Sequence, residues 1–181
     1  MDLLIGAIVC AMLSVAVVTD LWDQKIPNLL TLPAMLAGLA YHWLARGLDG
    51  LAFSAAGLAL GLAVMLVPFL LRLMGGGDVK LMAAVGAWLG AADVFSAFLF
   101  TCLAGGFYAL FMLLRLGLLP RVLRNIRDAF LVLLATRKLE YAPVPAPVGR
   151  PLPRLCYGLA IAAGTVFSLV YTAWERGTLG L

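Results

Sequence analysis

The sequence predicts an all-α, polytopic bundle of about six membrane-spanning helices, and three observations predict it. Hydrophobic residues fill 64% of the 181 positions and charged residues only 12%, where soluble domains average about 45–50% and about 25%. Mean hydropathy is +1.06. Apolar runs recur along the chain at close to the roughly 20 residues that carry a helix across a hydrocarbon core. The length suits one compact helical unit, and residues 1–181 are read as a single membrane domain.

Six runs carry the prediction: residues 3–19, 26–45, 51–71, 81–92, 94–114 and 155–174. The first is read as a retained helix rather than a signal peptide. It opens Met1-Asp2-Leu3-Leu4 without basic residues, and Asp20 follows it without a small-residue cleavage site. The fourth is too short to cross alone, unless it starts deeper or Val79 and Lys80 extend it with the lysine reaching the interface.

Charge gives the orientation. Eleven of the 13 basic residues fall in segments 20–25, 72–80 and 115–154, and only Arg46 and Arg176 fall on the other side. The positive-inside rule places those three loops in the cytoplasm and both termini outside. The net charge of +4 is thus a matter of membrane topology, and nucleic acid is not an expected partner. In the longest loop, residues 121–140 mix Leu, Val and Phe with Arg and Lys, as in an amphipathic helix on the anionic inner leaflet. Residues 142–153 are proline-rich and read as an extended connector.

Cys10, Cys102 and Cys156 are far apart, with no CxxC pair, so no metal site is expected and each reads as a small buried hydrophobe. His42, the only histidine, falls on the outer side by this topology. A Ser-His or Cys-His nucleophile facing the cytoplasm is therefore not available.

The carboxylates sort by position. Asp2, Asp49, Asp93 and Glu175 lie at the outer boundary, where water solvates them. Asp128 and Glu140 lie in the long loop near Arg127 and Lys138. Asp20, Asp23 and Asp78 remain at the inner helix ends, where an acidic residue carries a free-energy cost. Asp78 follows Gly75, Gly76 and Gly77. Those glycines permit positive φ and bring no side chains, which suits a turn that a substrate backbone approaches closely. The competing reading makes Asp78 the N-cap of a helix starting at Val79. Asp20 abuts the first apolar run, whereas Asp23 lies nearer the loop centre beside Trp22, an interfacial anchor. Two aspartates held together share one proton, because like charges a few ångströms apart do not both ionise. The ionised member takes a proton from water while the protonated member polarises a carbonyl. No cofactor is required.

Two blocks resemble a known family. Asp20-Leu-Trp-Asp-Gln-Lys-Ile-Pro-Asn28, followed by Leu29-Leu-Thr-Leu-Pro33, is similar to the first aspartate block of type IV prepilin peptidases, in which an aspartate lies seven residues before the proline, as Asp20 does before Pro27. Gly75-Gly-Gly-Asp78-Val-Lys80-Leu-Met-Ala-Ala-Val-Gly86-Ala-Trp88-Leu-Gly90 resembles the second, GxGD-containing block. Tyr157-Gly-Leu-Ala-Ile161 resembles a less specific stretch of the family's last helix. The resemblance implies an intramembrane aspartyl protease of the bacterial inner membrane, with Asp20 and Asp78 as the catalytic pair. It implies cleavage of the short basic leader of prepilin or pseudopilin precursors, after a glycine, at the cytoplasmic face. Larger members carry an N-terminal extension with paired CxxC motifs associated with N-methylation. This chain begins at its first helix without them and resembles the short, peptidase-only members of tight-adherence (Tad/Flp) pilus systems. Gly75, Gly76, Gly77, Lys80, Lys25, Pro27 and Asn28 are then candidate substrate contacts, with positive-inside anchoring the competing reading of both lysines. A proton-coupled transporter or channel, or a purely structural subunit, is the competing function, and both leave the paired blocks unexplained.

Overall fold

A computed structural model describes residues 3–71, 74–136 and 156–175. Among them the chain is all-helical: α1 (Leu3–Asp23), α2 (Asn28–Leu70), α3 (Gly76–Arg115), α4 (Leu119–Thr136) and α5 (Tyr157–Glu175). Four helices, α1, α2, α3 and α5, are long and apolar enough to cross a membrane. The fold is an all-α membrane bundle.

Glycines break the two longest helices. Gly47 (φ 61°, ψ −140°) interrupts α2 and Gly90 (φ 80°, ψ 176°) interrupts α3, in regions of backbone space that glycine enters without a Cβ penalty. At Gly47 the chain doubles back. The rings of His42 and Phe53 lie 5.1 Å apart, whereas eleven residues of straight helix would separate them by about 16 Å. Segments 28–46 and 48–70 match the second and third apolar runs, and 76–89 and 91–115 match the fourth and fifth.

Just before the break at Gly90, side chains from α2 reach two backbone carbonyls of α3. Ser54 Oγ donates to the Ala87 carbonyl at 2.6 Å, and His42 Nε2 lies 3.0 Å from the Trp88 carbonyl. Leaving such a carbonyl unpaired costs about 1–3 kcal/mol. Trp88 Nε1 in turn donates to the Ala34 carbonyl at 2.9 Å.

Residues 81–90 are buried on every side, as expected of a helix apolar all round. The short run is thus extended by an earlier start, at Gly76, and is surrounded by protein rather than lipid. Small residues make this possible. A Cβ on Gly57 would fall on the Gly86 carbonyl, one on Gly61 on the Met82 carbonyl, and one on Gly38 would stand 3.1 Å from Ala87. Van der Waals contact at such distances is what holds helices together in lipid. These contacts run one leg of α2 parallel and the other antiparallel to the start of α3. Gly164 against Thr101 and Gly105 against Ala160 likewise set the second part of α3 antiparallel to α5.

The described residues fall into two compact units: one up to Gly105 together with those from Cys156 onward, the other from Gly106. The second unit contains the end of α3, which closes in a Schellman turn. Gly117 (φ 65°) takes the left-handed position, the Leu118 N–H donates to the Leu113 carbonyl at 3.0 Å, and the Gly117 N–H donates to the Leu114 carbonyl at 3.1 Å. Leu118 is buried, and its own carbonyl accepts from the Arg121 and Val122 N–H groups, both at 3.0 Å, to start α4. α4 takes up residues 121–136 of the amphipathic helix expected over 121–140, and residues 137–140 lie outside the described residues. Glu140 and the proline-rich connector at 142–153 lie outside the described residues, as do Asp2 and Arg72.

The expected burial of the cysteines does not hold. Cys10 and Cys156 are half-buried and Cys102 is exposed. The outer face of a membrane helix is as apolar as its inner face, so a small hydrophobe gains little from pointing inward.

Candidate active site

Asp20 does not end the first helix. α1 continues one turn to Asp23, and the Gln24 N–H, from a residue at φ 50°, still donates to the Asp20 carbonyl at 3.0 Å. The extra turn separates the two aspartates. Asp20 is 8% exposed and faces inward, whereas Asp23 is exposed. Trp22 is 83% exposed and faces outward.

The Asp20 carboxylate is held from across the bundle. Gly158, the second residue of α5, donates its backbone N–H to Asp20 Oδ2 at 3.0 Å. A Cβ on Gly158 would stand 2.8 Å from that oxygen, so the contact depends on glycine. Gly158 is not among the site residues singled out by the sequence; its one signal is the resemblance of Tyr157–Ile161 to the family's last helix.

Asp78 is not an N-cap. α3 begins at Gly76, before Val79, and Asp78 lies in its first turn, 7% exposed. Its Oδ2 accepts the Gly75 N–H at 3.0 Å, and its own N–H donates to the Gly75 carbonyl at 3.2 Å. This is half of a capping box, in which the third helical residue reaches back to the cap. None of the three preceding glycines takes a positive φ. What the turn requires of them is closeness: a Cβ on Gly77 would stand 3.0 Å from Ile26 Cβ and 3.3 Å from the Ile26 backbone. Ile26 is buried there, pinning the α1–α2 turn against the start of α3.

Asp20 in the last turn of α1 and Asp78 in the first turn of α3 lie at the same end of the bundle, where Ile26 packs against Gly77. Cys156 lies just before α5, two residues from Gly158. Burial pushes its thiol pKa up, and the negative charges of Asp20 and Asp78 push it further. Lys80 Nζ donates to Asn28 Oδ1 at 2.8 Å, joining α3 to the first turn of α2 at the rim. Lys25, Pro27 and Gly75 are exposed at the same turns, and Gly76 packs beside the Phe69 ring. Pro27 occupies the N-cap position of α2, and its carbonyl accepts from the Leu30 N–H at 3.1 Å.

His42 is buried against Trp88, fourteen residues along α2 from Asn28 and so about 21 Å away along the helix axis. Among the described residues, no group of three or more His, Cys, Asp or Glu side chains is placed to hold a metal ion. The site offers two buried carboxyls, each fixed by one backbone N–H, beside a glycine turn in which Gly75 is exposed and Gly76 and Gly77 are half-buried. Two carboxyls within a few ångströms of each other share one proton and can act on water and a carbonyl together.

A model of the type IV leader peptidase family matches residues 7–110, more than half of the chain and a span that includes both aspartates. The chain is 39% identical over 95 residues to a prepilin leader peptidase/N-methyltransferase of Klebsiella pneumoniae, a match covering 49% of this chain and 41% of that protein. It is 37% identical over 95 residues to a protein of the same description from Dickeya chrysanthemi, covering 48% of this chain and 33% of that one. The match thus spans less than half the length of these relatives. No solved structure matches the chain. With the family's match running across both aspartate turns, the chain belongs to the type IV leader peptidase family.

Proposed function

We propose that the chain is a membrane aspartyl endopeptidase that removes the short basic leader from prepilin-like precursors of the Flp type, at the cytoplasmic face of the bacterial inner membrane. What supports this reading is that Asp20 and Asp78 are both buried, each accepts a backbone N–H, and the helix ends that carry them pack together through Ile26 and Gly77. In the proposed reaction the ionised aspartate takes a proton from water and the resulting hydroxide attacks the scissile carbonyl carbon. The protonated aspartate polarises the carbonyl oxygen, and the leaving amine then takes a proton as the C–N bond breaks.

Gly158 acts as a positioning residue for Asp20. Gly75, Gly76 and Gly77 leave room for the substrate backbone. Lys80, held by Asn28, and Lys25 and Pro27 at the rim supply contacts to the precursor.

Incubation with a tagged Flp-type prepilin tests the proposal. Wild type and Asp23→Asn should shorten the precursor by the mass of its leader, while Asp20→Asn and Asp78→Asn should not. Slower cleavage by folded Lys80→Ala supports a substrate contact, and unchanged cleavage assigns Lys80 to membrane anchoring. Failure of wild type on several prepilins would leave the proton-coupled transporter as the better reading.

A further inference from the structure

α4 carries a surface that nothing in the catalytic proposal uses. Leu123, Ile126, Phe130 and Leu134 recur at helical spacing along one side, and each is more than half exposed (58%, 57%, 57% and 65%). Arg121 and Arg124 fall on the opposite side of the helix, with Arg127 at its flank in an ion pair with Asp128 at 2.9 Å. An isolated apolar stripe of this width facing water is unfavourable, so something covers it.

The start of α4 identifies the cover. α3 is apolar and long enough to span a membrane, and α4 leaves it through the hydrogen-bonded Schellman turn at Gly117 with Leu118 buried beneath. The two helices share a fixed corner rather than a loose tether, so α4 begins where α3 leaves the bilayer. A strongly amphipathic helix with arginines opposite its apolar stripe, starting at that depth, matches an interfacial helix whose cations meet anionic headgroups.

We propose that the Leu123–Ile126–Phe130–Leu134 face of α4 lies in the anionic phospholipid surface of the leaflet at which α3 ends, with Arg121 and Arg124 drawn to its headgroups. This proposal does not depend on the catalytic reading.

The test uses the full chain, with Cys10, Cys102 and Cys156 changed to Ser, reconstituted into phosphatidylcholine vesicles with or without phosphatidylglycerol. An environment-sensitive fluorophore is attached at Ile126→Cys, Phe130→Cys or Arg124→Cys. With phosphatidylglycerol present, positions 126 and 130 should lose most of their emission to nitroxide-bearing lipids and resist iodide, and position 124 should show the reverse. Omitting phosphatidylglycerol, or adding Arg121→Gln with Arg124→Gln, should raise iodide quenching at 126 and 130. Iodide access at both apolar positions in anionic vesicles would overturn the proposal. So would shielding from iodide without nitroxide quenching, which would mean a protein cover such as a second copy or the precursor. Indifference to phosphatidylglycerol would overturn the anionic preference.

Discussion

Asp20 sits at the unfavourable end of its own helix for a carboxylate, because the last turn of α1 presents the negative pole of the helix dipole. Asp78 has the opposite situation, lying in the first turn of α3 with the Gly75 N–H on its Oδ2. The start of α5 evens the balance by giving Asp20 the Gly158 N–H, so both carboxylates end at a helix N-terminus. Gly158→Ala should therefore act through Asp20. Its Cβ would stand 2.8 Å from Oδ2, and a carboxyl displaced by about 1 Å costs on the order of 100-fold in rate. Steady-state kinetics should show the loss in kcat with KM and thermal stability little changed, and wild-type kcat would rule out this role. That Asp20 rather than Asp23 turns inward was legible in the sequence, through the apolar run it abuts. Gly158 was not, because its partner lies 138 residues away and a backbone N–H carries no side-chain signature.

Among the elements, the buried segment 81–90 of α3 sets the packing, since the two legs of α2 close on it through glycine and alanine. Gly86→Ala should overpack this contact, where the new Cβ meets the Gly57 carbonyl, and destabilise the bundle by about 1–3 kcal/mol. Gly106→Ala, also in α3, meets nothing within 4 Å and should stabilise by about 0.5–1 kcal/mol as a helix-interior glycine replaced. Thermal unfolding in detergent checks the pair, and equal shifts in the same direction would contradict the packing described. The apolar runs located these segments well because the charged gaps at Arg46–Asp49 and Asp93 interrupt them. The break at Gly90 was not legible, since that glycine falls inside a run. The N-cap reading of Asp78 failed because glycines are poor helix formers, yet α3 begins at Gly76 with the Asp78 carboxyl closing its first turn.

At the scale of the whole molecule, the end of α1 and the starts of α2, α3 and α5 gather at one end of the first unit, through Asp20 with Gly158, Ile26 with Gly77, and Asn28 with Lys80. The basic residues Lys25 and Lys80 lie there too, as loop charge led one to expect. His42 and the Gly47 and Gly90 breaks lie toward the other end and serve the scaffold. If Asp20 and Asp78 act as one unit, their effects on cleavage do not add. The most direct measurement is a double-mutant cycle on purified protein, with prepilin cleavage rates for Asp20→Asn, Asp78→Asn and the double variant, each shown to be folded. The shared-proton mechanism predicts that each single change lowers the rate by at least about 1,000-fold and that the double variant is no slower. Additive losses, or substantial cleavage by either single variant, would contradict it.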